Sequence, residues 1–161
     1  MRIKLLSVIF VMAIPSVVEA QQNYNSPDGT LRVRITSVSK SCAEDRLGIF
    51  SRTGALIYQK DFLSSDCEHG NTVVRGEWSS DSQFFIFNVE STGGHQPGHR
   101  PVYVYSRGKK KLYSLENYIG YLVAQDFTLE APHTLKTEKQ KTRGGFDGVP
   151  IEVNLSQILR Q

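Results

Sequence analysis

The segment richest in reactive side chains runs from Ser91 to Tyr105 and reads Ser-Thr-Gly-Gly-His-Gln-Pro-Gly-His-Arg-Pro-Val-Tyr-Val-Tyr. His95 and His99 stand four apart, a spacing that serves a metal when both lie on one helical face. Pro97 and Gly98 break any such helix, and no acid or cysteine adjoins the pair, so it reads as part of a contact loop rather than a metal site. Arg100, Tyr103 and Tyr105 follow at the exit of the loop. Arg and Tyr are the types that anchor protein interfaces. The alternative for the two tyrosines is the outer face of a sheet.

Two groups of carboxylates lie near the cysteines, Glu44-Asp45 and Asp66-Cys67-Glu68. They read as solvated loops or calcium contacts, because acid–base work needs carboxyls opposed across a cleft. The sequence holds no Gly-x-Ser-x-Gly elbow, no His-Glu-x-x-His and no glycine-rich phosphate loop before a helix. Nothing in it calls for a cofactor or a metal, and the expectation is a protein without enzymatic activity.

These residues are positioned by strands. Leu31, Val33 and Ile35 alternate with Arg32, Arg34 and Thr36, giving one apolar and one wet face. Arg46 to Ser51 and Ala55 to Phe62 form the next pair, around the turn Arg52-Thr53-Gly54. Gln83 to Val89 is apolar on both faces and predicts a central, doubly covered strand. Val102 to Tyr105 and Lys111 to Leu115 flank Ser106-Arg107-Gly108, with Lys109 to Lys111 as a solvated hairpin tip. Later strands are expected near His133 to Thr137 and Val149 to Asn154, and single helical turns near Glu116 to Tyr121 and Leu155 to Leu159. Lys136 to Arg143 reads as a polar, mobile stretch before a glycine-rich loop at Gly144, Gly145 and Asp147-Gly148. The fold class is all-β.

The first twenty residues predict an address. Arg2 and Lys4 precede an apolar run from Leu5 to Val18, and Val18-Glu19-Ala20 suits cleavage between Ala20 and Gln21. The run of about fourteen is short of the roughly 20 residues a spanning helix needs. The remainder, residues 21–161, is expected to be a single exported domain, secreted or periplasmic. Without Arg2, Lys4 and Glu19, the 19 basic and 16 acidic residues become 17 and 15. That near balance gives no pointer to nucleic acid or an anionic membrane. In an oxidising compartment Cys42 and Cys67 are expected to bridge, since both fall at the open end of one hairpin. Asn154-Leu155-Ser156 fits the glycosylation pattern in a eukaryotic host.

An internal repeat runs through the strands. Ser26-Pro27-Asp28-Gly29 precedes one strand and Ser79-Ser80-Asp81-Ser82 another, 53 residues later. Ser51-Arg52 and Ser106-Arg107 end corresponding strands 55 residues apart, so the period is near 54. The units are about 24–75 and 76–123, with a degraded third over 124–161. An aromatic followed by Ser-Pro-Asp-Gly and an apolar strand resembles the blade repeat of TolB-like, WD-type β-propellers, over about Tyr24 to Leu115. The second copy, Trp78-Ser79-Ser80-Asp81-Ser82, has Ser80 and Ser82 where that family has Pro and Gly. Closure takes at least about four blades, which at this period needs roughly 200 residues or more, beyond the 161 of the chain. The expected architecture is therefore a set of antiparallel, blade-like repeats in a compact sandwich or short stack of sheets. Several chains completing a ring is the alternative.

The expected function is contact with a protein partner through the Ser91–Arg100 loop, in the manner of an inhibitor or immunity-type protein. A carbohydrate-binding or structural envelope module is the second reading. A glycan-acting hydrolase using His95 or His99 is the third.

Overall fold

The computed structural model describes residues 21–39, 41–93, 99–123, 126–142 and 147–158. Expectations about residues 1–20, His95 and Gly144-Gly145 lie outside them. Among the described residues, eleven strands form three antiparallel sheets, each a simple meander. The first holds β1 (Gln21–Asn25), β2 (Leu31–Ser39), β3 (Cys42–Ser51) and β4 (Leu56–Asp61). The second holds β5 (Asn71–Trp78), β6 (Phe84–Ser91), β7 (Val102–Ser106) and β8 (Lys111–Ser114). The third holds β9 (Thr128–Glu130), β10 (Thr134–Gln140) and β11 (Gly148–Asn154). The described residues also include two single-turn helices, α1 (Glu116–Ile119) and α2 (Leu155–Ile158).

The sheets stack, with the second in the middle. Alternate residues of β6 enter two different cores, as a strand pleat requires. Phe85, Phe87 and Val89 join Val33, Ile35, Leu47 and Ile49 of the first sheet. Phe84 and Ile86 join Leu135 of the third sheet, Val153 and Leu155. Each such side chain, removed from water, contributes about 1.5–3 kcal/mol before entropy is charged against it. The doubly covered strand read from Gln83 to Val89 is this one, six of whose eight residues are buried.

The two Ser-x-Asp-x turns make the same bonds. Ser26 and Ser79 accept from the Leu31 and Phe84 amides on their hydroxyls, and Asp28 and Asp81 accept from the Thr30 and Gln83 amides. The left-handed turn residue is Gly29 in one (φ 67°) and Ser82 in the other (φ 60°). Glycine takes that conformation without the Cβ penalty that a serine bears. The Ser82 hydroxyl in turn accepts from the Asp28 amide at 3.1 Å and joins the two turns.

Three expectations change. Lys136 to Gln140 is strand, not mobile chain: seven residues of β10 pair with β11. Glu44 and Asp45 lie in β3, and both are buried. β5 is a full strand of the middle sheet where only its last residue, Trp78, had been singled out.

Candidate functional site

Because every sheet is a meander, successive connections alternate between its two ends. The short turns at 26–30, 52–55, 79–83, 107–110 and 131–133 share an end, tied by Arg107 to Asp28 and by His133 to Asp81. The strands that flank residues 62–70, 92–101, 115–127 and 141–147 have their facing ends at the opposite end of the sheets. That loop end is where binding residues are usually placed on a rigid β scaffold.

Two buried carboxylates organise it. Glu44, 0% exposed, accepts from the Ser64 amide at 2.6 Å, the Gly70 amide at 2.6 Å, the Ser64 hydroxyl and the Thr92 hydroxyl. Burial pushes this carboxyl up, but the four hydrogen bonds outweigh it and hold its pKa below the ordinary value. A Cβ at Gly70 would overlap the Glu44 carboxyl, so glycine lets the loop close on it. Asp45 accepts from the Ser37 hydroxyl, the Thr72 hydroxyl and the Val73 amide at 3.0, 2.8 and 2.7 Å. It thereby ties the first sheet to the second. The disulfide between Cys42 and Cys67, with Cα atoms 5.2 Å apart, staples the 62–70 loop to the same strand. Cys42, Glu44 and Cys67 offer donor atoms close together, but both sulfurs are spent in the disulfide and metals take thiolates.

The other half of the loop end surrounds His99. Its Nε2 lies 2.8 Å from Glu116 Oε1, which also accepts from the Leu122 amide at 2.9 Å. The His99 ring stacks on Tyr121 with centroids 4.2 Å apart. Arg100 donates to Glu90 at 3.0 Å, while its buried Nε has no protein partner. Burial and then the Glu116 carboxylate raise the phenols of Tyr103 and Tyr121, which keeps both neutral. Tyr118 and Tyr121 are 39% and 43% exposed, beside ordered backbone: the Gln140 amide donates to the Tyr121 carbonyl at 2.8 Å.

The structure therefore divides the residues singled out in the sequence. His99 and Arg100 sit together at the loop end, both half-buried, His99 hydrogen-bonded to Glu116 and Arg100 ion-paired with Glu90. Tyr105 is 0% exposed, its ring against Tyr58 with centroids 5.3 Å apart, so it serves the core and offers no surface to a ligand. Tyr103 is half-buried and stacked on Phe87 in that core. Their period-two spacing reflected an inward face of β7, not an outer one. Tyr118 and Tyr121 were missed because they fall in a segment read only as a helical turn. Glu44 and Asp45 were misread although one signal was present: Asp45 has the same parity as Leu47 and Ile49, and so lies on their apolar face. The chain matches no protein-family model and no curated protein.

Proposed function

We propose that this chain is an exported, non-enzymatic binding domain whose loop end docks a protein partner. The observation that carries the reading is the pair of exposed tyrosines, Tyr118 and Tyr121, held beside the half-buried His99–Glu116 pair. Exposed aromatic rings on ordered backbone lose little entropy on binding, which is how interface anchors gain affinity. Export is supported by the leader pattern of residues 1–20 and by the Cys42–Cys67 disulfide. Cleavage after Ala20 would leave β1 whole, since Gln21 is its first residue and pairs with Thr36. The described residues include no helix long and apolar enough to cross a membrane. The blade-like meanders support kinship with propeller repeats. Three sheets fall short of the about four a closed propeller takes.

The test is a pull-down from envelope extract with the oxidised protein and its Tyr118→Ser/Tyr121→Ser variant, both shown folded by their unfolding transitions. A protein retained by the first and lost from the second supports the reading. Equal recovery from both refutes it. Retention on immobilised wall glycan, lost in the variant, would replace it with carbohydrate binding, for which the flat His99–Tyr121 stack is suited.

A further inference from the structure

We propose that two copies of this chain associate head to tail, the outer face of each first sheet docking on the outer face of the other's third sheet. The second sheet lies between its neighbours and packs against the inner face of each. The outer faces of the first and third sheets are the two ends of the stack.

These ends carry opposite charge. On β2, Arg32 and Arg34 alternate with the core residues Leu31, Val33 and Ile35, and so stand on the outer face. Neither makes an ion pair among the described residues, and the buried Nε of each has no hydrogen-bond partner there. Arg46, on the same face, is paired with Asp61 and adds no net charge. On the third sheet, Lys136 stands between Glu130 and Glu152 at 2.9 and 3.1 Å. Glu138 follows on the same face of β10, with the opposite parity to the buried Leu135 and Thr137. Three carboxylates against one ammonium leave two negative charges, which match the two free arginines.

The opposed charges also lie at one height. Arg32 and Arg34 are the second and fourth residues of β2, counted from the tight-turn end. Glu130 is the last residue of β9 before that end, and Glu152 the third from the end of β11. All four fall within about 13 Å of the same end at the ordinary rise of a strand. An apolar anchor accompanies the arginines. Arg32 pairs with Phe50, and Phe50 with Leu56, which is 53% exposed and lies away from the loop end. The Phe50 ring lies flat over Gly48, where a Cβ would strike it, and carries the Arg34 guanidinium at 5.1 Å. The methylene stems of Lys136, Glu130 and Glu152 give this anchor an apolar counterpart.

Two copies also suit the way the sheets turn. Trp78 of β5 donates to the Tyr24 carbonyl of β1 at 3.1 Å, and Arg75 of β5 to the Phe127 carbonyl beside β9 at 3.0 Å. Consecutive sheets are thus tied along their first strands, while the large rings of Tyr58 and Tyr105 fill the space between strands farther out. Sheets joined in this way fan about a common edge, and closed rings hold about four to eight of them. One chain has three, and two chains have six. Such a ring covers both ends of both chains and leaves none for further growth.

Sedimentation equilibrium of the oxidised protein at low ionic strength tests this. A mass of two chains is expected, falling to that of one in about 1 M salt, where the screening length is about 3 Å. Arg32→Glu/Arg34→Glu and Glu130→Arg/Glu152→Arg are each expected to be monomeric, because like charges then face each other. Mixed in equal amounts, the two variants are expected to restore the dimer, since both junctions of the mixed ring are again opposite in charge. Glu130 and Glu152 are 56% and 66% exposed, so the second variant keeps the fold even if the first does not, and unfolding transitions check both. A monomer at low salt throughout a dilution series would overturn the proposal. So would a dimer that either folded variant retains, a mixture of folded variants that stays monomeric, or assemblies that grow beyond two chains.

Discussion

Replacing Asp45 should separate hydrogen-bond geometry from charge at the joint between the first two sheets. In Asp45→Ala, the Val73 amide loses its acceptor at 2.7 Å inside the core, and the Ser37 and Thr72 hydroxyls lose theirs. A stranded buried N–H costs about 1–3 kcal/mol, and the space vacated by the carboxyl adds to it. The strand ladder offers no replacement, since the register between β5 and β6 slips at Val73/Arg75. We expect a loss of about 3 kcal/mol, roughly a hundredfold in the unfolding equilibrium. Asp45→Asn has a different outcome. Its carbonyl can take the place of Oδ2, accepting from Val73 and Thr72, while its NH₂ faces the Ser37 hydroxyl, which can turn to accept. The expected cost is about 1 kcal/mol. Urea unfolding of the oxidised protein reads both, with the Ala midpoint about 2 M lower for a slope near 1.5 kcal/mol/M. Equal losses for Asn and Ala would refute the hydrogen-bond account in favour of the charge itself. A loss below about 1 kcal/mol for Ala would show that Val73 finds another partner.

Removing the disulfide as Cys42→Ala/Cys67→Ala frees a closure spanning 25 residues, and calorimetry should show about 3 kcal/mol less stability. Gly29→Ala meets no steric contact yet must hold φ at 67°, so its cost is purely conformational; equilibrium unfolding should show about 1–2 kcal/mol. Burial pushes the Asp81 carboxyl up, but the Ser79 hydroxyl, the Gln83 amide and His133 together bring its pKa below the ordinary value. A depressed folded pKa stabilises above the unfolded value, near 3.9, and that contribution disappears as pH falls through the folded value. Asp81→Asn should therefore be less stable than wild type at pH 6, with the gap narrowing below about pH 4; a gap constant across an acid titration would contradict the assignment.

Much of the architecture is legible in the residues because strands announce themselves by period. The Phe84 to Val89 run could be stable only between two covers, and it has them. The cysteine pair follows from the hairpin geometry, with Cys42 opening β3 and Cys67 following β4. β1 escaped notice because Gln-Gln-Asn-Tyr-Asn carries one apolar side chain, and its pairing with β2 supplies what propensity does not. β5 was hidden by its irregular register and by Arg75 and Glu77 on its wet face. At the loop end, the sequence marks His99 and Arg100 but not their acid partners, Glu116 and Glu90, which lie 17 and 10 residues away in the chain. Glu44 presents the same difficulty more sharply. Its burial depends on loops 20 and 26 residues further on folding back over it, which no local pattern encodes.

The claim that the loop end is the binding face is tested most directly by photo-crosslinking in the native host. A photoreactive phenylalanine analogue is placed at Tyr121 and, as the comparison, at Thr53 in the opposite turn. The account predicts one protein adduct of defined mass from position 121 and none from position 53. The same adduct from both positions, or an adduct only from position 53, would contradict it.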